Sequence, residues 1–406
     1  MTDVLVIGAG VAGLSAATAL RAQGVAVTVV EASNRIGGRA LTTPVGAFGF
    51  DHGASWLHDA DRNPLLAFAE PASLIDTDKL RRRRVLVAGR LADAAELAER
   101  EAAMALFDAT ASACAEDIPL ARVLDPIRAN PWIASVEAWE AAQIAAADPA
   151  DFSVLDWKLN ALEGRNLAVR GGLGALIARE IAPRAGAVEL NTPVLSLDWR
   201  GPIIAETPRG TIHARAVIIT CSTAAIGGIR FMPELPVSTE GLPMGLLTKV
   251  MLRAKGGGRL GLAAEESVSA RLDPGERYLS FLAWPGGADY CVAFIGGPNA
   301  WALAREGEAA TLNFVRNKLR GWFGAEADAT FGDALVTDWA RNPWHRGAYA
   351  YARAGFAGDR AKLGAPLADG RLVIAGEATA IDGLAGTVAG AWNEGRRAAA
   401  IVQAAL

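Results

Sequence analysis

Two short stretches near the start of the chain carry residue types whose spacing suits phosphate chemistry. The first is Gly8-Ala9-Gly10-Val11-Ala12-Gly13, with Glu31 standing 18 residues past Gly13. Gly8 allows a tight turn, Gly10 lets the backbone approach a diphosphate, and Gly13 permits close packing of a helix on a strand. An acid at the distance of Glu31 suits the ribose hydroxyls of a dinucleotide. The second stretch is Glu31-Ala32-Ser33-Asn34-Arg35-Ile36-Gly37-Gly38-Arg39. Its paired glycines again permit close approach, and Arg39 offers a planar fork to phosphate, with Arg35 a second candidate.

The flanking elements must hold these residues in place. Val4-Leu5-Val6-Ile7 is an unbroken apolar run, as expected of a buried parallel strand, and it leads directly into Gly8. A helical pattern through Leu14, Ala17 and Leu20 stops at Gly24, and Val25 to Val30 reads as a second strand. Strand, glycine turn, helix, strand and acid thus occur in the order of a Rossmann-like unit, with a helix N-terminus facing the phosphates. NAD and FAD share this arrangement. The Gly37-Gly38-Arg39 stretch resembles the second nucleotide motif of the large FAD oxidoreductases.

Composition narrows the chemistry further. The 406 residues suffice for two domains, and 44 of them are glycine. Only 4 His and 3 Cys are present, and Cys114, Cys221 and Cys291 are scattered, so neither a metal cage nor a disulfide framework is expected. The net charge of −4 argues against nucleic acid as a partner. One basic block, Lys79 with Arg81 to Arg84, reads as a solvated strand or loop edge. The 17 uncharged residues between Asp3 and Arg21 are interrupted by glycines, lack a basic leader and fall short of a membrane span, so a soluble, cytoplasmic protein is expected.

Further motifs extend the resemblance to nearly the whole chain. They are Asp51-His52-Gly53-Ala54-Ser55-Trp56-Leu57-His58-Asp59, Thr248-Lys249-Val250-Met251-Leu252, and Asp338-Trp339-Ala340-Arg341-Asn342-Pro343-Trp344 with Gly347-Ala348-Tyr349-Ala350-Tyr351. The closing pair is Ala375-Gly376-Glu377-Ala378-Thr379 and Gly386-Thr387-Val388-Ala389-Gly390-Ala391-Trp392. With these in place the chain resembles the flavin-containing amine oxidases, which include monoamine oxidases and the histone-demethylase branch. In motif it is most similar to polyamine oxidases.

The resemblance implies roles for particular residues. Gly53, Ala54, Ser55 and Trp56 would run beside the flavin, Val194 would meet the adenine, and Trp344 would lie on the cofactor. Gly376 and Glu377 would serve the ribityl or diphosphate side. Thr387 and Val388 would begin a helix whose positive end faces the flavin edge that becomes negative on reduction. Lys249 matches the lysine that holds a water at flavin N5, His58 a histidine that hydrogen-bonds substrate, and Tyr349 an aromatic wall. Thr387 stands where monoamine oxidases carry a second cage tyrosine. Ala348 stands where they carry the cysteine that tethers flavin, so non-covalent FAD is expected.

The implied fold is α/β, a Rossmann-like FAD-binding domain (1–76, 167–233 and 356–406) interleaved with an α+β substrate-binding domain (77–166 and 234–355). Residues 77–166 read as helices over the active site, and 234–355 as short strands with a helix from Glu308 to Phe323. The expected reaction is oxidation of an amine C–N bond, with imine hydrolysis and reduction of O2 to H2O2. A polyamine or another primary or secondary amine is the expected partner besides O2. An amino-acid oxidase on the same scaffold is the alternative and needs a cation, Arg346 or Arg341, for the carboxylate. A non-catalytic FAD-bound scaffold is a third reading.

Overall fold

A computed structural model describes residues 2–80, 82–273 and 275–406. Arg81, part of the basic block, lies outside the described residues. The first apolar run forms the strand Thr2–Ile7, which has parallel neighbours on both sides, Val27–Val30 and Gly210–Ile219. Val188–Glu189 extends this sheet beyond Val27–Val30, and Leu372–Ile374 pairs parallel with the end of Gly210–Ile219. An antiparallel meander through Ile203–Thr207 and Ser196–Asp198, followed by Arg230–Met232, completes the eight strands. Val4, Leu5, Val6, Val217 and Ile218 are wholly buried, which explains why these runs are continuously apolar rather than alternating.

The helix Val11–Arg21 packs against the helix Val388–Ala404. A Cβ at Gly395 would lie 2.2 Å from the Ala12 carbonyl oxygen, so the approach depends on glycine. Ser15 Oγ donates to the Trp392 carbonyl at 2.7 Å, pinning the two helices together. Trp392 is core: its ring meets Phe68 edge-on at 5.2 Å.

The second sheet has seven strands, in the order Phe331–Val336, Leu247–Ala254, Tyr290–Gly296, Ser280–Ala283, Glu266–Ala270, Arg82–Val87 and Arg90–Leu91. Residues 77–166 are therefore not purely helical. Two of their strands extend this sheet, with Val85, Leu86 and Val87 buried. The basic block falls on the first of these strands, where Arg84 Nε bonds Glu266 at 2.8 Å. The helix expected at Glu308–Phe323 has those limits.

Strands of the first sheet thus come from residues 2–30, 188–232 and 372–374, and those of the second from 82–91 and 247–336. We propose the division 1–76, 167–233 and 356–406 against 77–166 and 234–355 as the domain limits. A buried ion pair ties the segments together. Arg360 bonds Asp156 through Nε at 2.7 Å and Nη2 at 2.8 Å, and its remaining donors meet the carbonyls of Ala350 and Ala378. No helix of the described residues is long and apolar enough to cross a membrane.

Candidate active site

The two glycine stretches meet directly. Gly37 N donates to the Ala9 carbonyl at 2.8 Å, Gly10 and Gly37 form an isolated parallel bridge, and a Cβ at Gly38 would lie 3.2 Å from Gly10 Cα. Gly13 faces inward, where a Cβ would fall 1.9 Å from the Gly8 carbonyl oxygen. It serves packing and does not line the cavity. Glu31, buried at the end of its strand, accepts from Ala9 N at 2.8 Å through one oxygen and from Ser33 N and Oγ through the other. The acid therefore braces the loop as well as facing the cavity.

That cavity has a volume of about 1080 Å3, at the upper end of ligand sites. Gly8, Gly10, Glu31, Ala32, Gly37, Gly38 and Arg39 line one part of it, with Val194 nearby. Gly53, Ala54, Ser55, Trp56, His58, Lys249, Trp344, Tyr349, Gly376, Glu377, Thr387 and Val388 line the rest. A Cβ added at Gly10 or Gly376 would meet no atom within 4 Å, so at both positions the bare backbone opens onto ligand space. This fits a dinucleotide that needs close backbone approach.

One expected phosphate contact is corrected. Arg35 does not line the cavity, because its Nη1 turns back to the Ile36 carbonyl at 3.2 Å. Arg39 instead donates through Nη1 to Glu377 Oε1 at 2.6 Å and to the Ala348 carbonyl at 3.0 Å. Glu377 also accepts from Ala350 N. Two expected cofactor residues are therefore paired with each other across 338 positions of sequence.

Lys249 projects from the second sheet and is only 3% exposed. Its Nζ donates to the carbonyls of Asp51 (3.0 Å) and Gly53 (2.5 Å) and to Ser55 Oγ (2.5 Å). Three donors meet three acceptors, so the ammonium clamps the 51–55 loop. It sits 5.5 Å from the ring centre of Trp56 and 5.8 Å from that of Phe294. Burial brings its pKa down to about 8, against the pull of Asp51. From the other side the loop is held by His52 N on the Leu41 carbonyl and Ala54 N on the Arg39 carbonyl.

His58 Nδ1 lies 2.7 Å from Asn166 Oδ1, which sets the ring's direction. Tyr349 donates to the Ile144 carbonyl at 2.7 Å, and a Cβ at Gly386 would lie 3.4 Å from its ring. Thr387 Oγ1 is engaged as a helix cap, donating to the Leu384 carbonyl and accepting from Gly390 N at 3.0 Å. Its hydroxyl therefore serves the helix, and the N–H groups of Val388 and Ala389 remain at the helix mouth.

Several wall residues had no sequence signal. Trp139, Glu140, Gln143 and Ile144 come from an irregular helical segment within 77–166, joined by Asp108, Trp157 and Glu163. Burial raises the Glu140 carboxyl, which accepts from Trp157 Nε1 at 3.3 Å, and raises Asp108 as well. His345 and Trp339 also reach the cavity. Of the two arginines considered for a substrate carboxylate, Arg346 lines the cavity. Arg341 does not, and is paired with Asp338 at 2.9 Å.

The family model for flavin-containing amine oxidoreductases matches residues 70–403, and that for NAD(P)-binding Rossmann-like domains matches residues 6–70. A putrescine oxidase of Kocuria rosea is 27% identical over 58% of this chain and 59% of its own length. A lysine-specific histone demethylase homologue of Oryza sativa subsp. japonica is 29% identical over 93% of this chain and 49% of its own. The chain thus spans about half to three fifths of the length of these curated relatives. Among solved structures, a putrescine oxidase bound to putrescine superposes with a TM-score of 0.77, covering 99% of both chains at 22% identity, which is a likeness of fold.

Proposed function

Because the chain belongs to the flavin-containing amine oxidoreductase family, we propose that it binds FAD non-covalently and oxidises the C–N bond of an amine. One observation carries the reading: a single cavity is lined at one part by the glycine loops and Glu31, and at another by Lys249, His58 and Tyr349. Bound FAD would accept the hydride equivalent from the amine α-carbon and pass electrons to O2, giving an imine that water hydrolyses, and H2O2. The chain's part is to orient, desolvate and supply fixed charge.

Trp56, Phe294 and Tyr349 give the cavity apolar walls. Lys249 provides a buried cation beside the loop Gly53–Trp56, which suits an oxygen step in which negative charge develops. His58, whose Nδ1 meets Asn166 Oδ1, lines the same cavity, where a residue that holds an amine would stand. Ala348 offers no nucleophile for a flavin tether. Cys221, which lines the cavity, has a thiol that burial pushes up to about 12, so it stays protonated and inert.

A polyamine or diamine is the substrate class we favour, because Glu140, Asp108 and Glu163 add acidic groups to the wall. The amino-acid oxidase reading keeps one support, Arg346. An anaerobic panel tests both: spermidine, spermine, putrescine, simple monoamines, and an amino acid beside its decarboxylated amine. Bleaching of the flavin by amines is expected. Bleaching by none of them would overturn the proposal, and bleaching by the amino acid alone would favour the second reading. The scattered, unpaired cysteines support a reducing, cytoplasmic setting.

A further inference from the structure

His345 stands between the 220–222 turn and Trp339, within electrostatic reach of Arg39 and Arg35 of the second glycine stretch. The residue is 8% exposed, lines the cavity, and its Nε2 is buried without a hydrogen-bond partner among the described residues. Its backbone is firmly held. The carbonyl accepts from Ser222 Oγ at 3.0 Å, and the N–H donates to the Asn342 carbonyl at 3.3 Å. Two residues before Ser222, Thr220 Oγ1 reaches the Ile7 carbonyl at 2.9 Å, tying this turn to the strand that ends in the first glycine loop. The imidazole itself packs edge-on against Trp339, with centroids 5.4 Å apart. The ring is thus fixed beside the nucleotide loops, and only its polar edge is unused.

The surroundings indicate what is missing. Arg39 and Arg35 both lie close enough to act electrostatically on the ring, and with burial they hold its pKa near 3. The imidazole is therefore neutral at physiological pH and can carry its proton on Nε2. A buried donor without an acceptor costs free energy that an anionic oxygen would restore. Arg39 is paired with Glu377, and Glu31 is engaged with Ala9 and Ser33, so neither carboxylate serves His345.

We propose that His345 is a cofactor-binding residue whose Nε2–H donates to a phosphate oxygen of the bound dinucleotide. This rests on the FAD reading above. It adds to the glycine loops a side-chain contact specific to the diphosphate rather than to the isoalloxazine.

The test compares FAD with riboflavin, which lacks the phosphates, by titrating flavin-stripped protein and following quenching of flavin fluorescence. His345→Phe keeps the ring packing on Trp339 and removes the donor, while His345→Gln retains an N–H. The Phe variant is expected to raise the Kd for FAD about 10- to 100-fold, as for a hydrogen bond to a charged group. Riboflavin affinity should stay unchanged, and Gln should restore FAD binding to within a few-fold of wild type. If the Phe variant does not fold, His345→Leu beside His345→Gln gives the same contrast. Equal FAD affinity in variant and wild type overturns the proposal, as does equal weakening of FAD and riboflavin. Failure of the wild-type protein itself to bind FAD would overturn the cofactor reading and this inference with it.

Discussion

Exchanging Lys249 for methionine removes a buried ammonium and keeps an unbranched stem. Burial has moved that amine from 10.5 to about 8. The gap corresponds to about 3 kcal/mol at about 1.4 kcal/mol per pH unit. Because the folded-state pKa is depressed, the unfolded chain binds a proton between pH 8 and 10.5 that the folded chain has released. Stability contributed by this group is therefore full above 10.5 and is lost as pH falls through about 8. Between pH 7 and 9 the wild-type protein should gain on the order of 1 kcal/mol from Lys249 alone. Urea unfolding of flavin-free wild type and Lys249→Met at pH 7, 8 and 9 reads this directly, since groups common to both cancel in the difference. A difference that stays flat across that range would refute the buried, depressed cation. In flavin-loaded protein, reoxidation by O2 should slow about 100-fold in the variant, because a fixed charge beside the loop Gly53–Trp56 is lost. An unchanged rate would remove Lys249 from the catalytic residues.

Three other substitutions probe separate parts of the site. Gly53→Ala sets a Cβ 2.0 Å from the Arg39 carbonyl oxygen and 3.1 Å from the Trp339 ring; thermal unfolding should register a loss of about 1–3 kcal/mol, and the protein should purify with less flavin. Asp156→Ala strands Arg360 and should cost about 3–5 kcal/mol in denaturant unfolding, much of it recovered when Arg360→Met is added; a cost below 1 kcal/mol would mean the pair is dispensable. Glu140→Gln should raise KM for a diamine about tenfold and leave a monoamine unaffected, measured by steady-state oxygen consumption; an equal change for both would exclude a contact with a second ammonium.

The sequence was most informative where function demands glycine. At Gly8, Gly37, Gly38 and Gly53 the backbone passes within contact distance of a neighbour, and at Gly10 it opens onto ligand space. The apolar run Val4–Ile7 was legible for a related reason: a strand buried on both faces leaves no polar positions to blur the pattern. The orientation of side chains was not legible. Arg35 and Arg39 occupy the same motif, yet one turns away to its own backbone and the other finds Glu377. Thr387 opens the helix expected there, but that its hydroxyl caps that helix is visible only in the fold. The wall from Trp139 to Ile144 belongs to a helical segment whose cavity-facing residues look like any amphipathic pattern. His345 had no spacing signal because its importance lies in an unmet hydrogen bond, which exists only in three dimensions.

The wall of the cavity draws residues from Ile7 to Ala391, and its mouth of N–H groups belongs to the helix Val388–Ala404 docked on Val11–Arg21. A chain emerging from the ribosome cannot close such a site until that helix has arrived. Flavin capture then becomes a late event in biogenesis, and the ligand rewards only molecules that have finished folding. At a free FAD concentration 100 times its Kd, that selection amounts to about 2.7 kcal/mol in favour of the folded form. Cellular flavin supply would therefore set the yield of this protein as well as its activity.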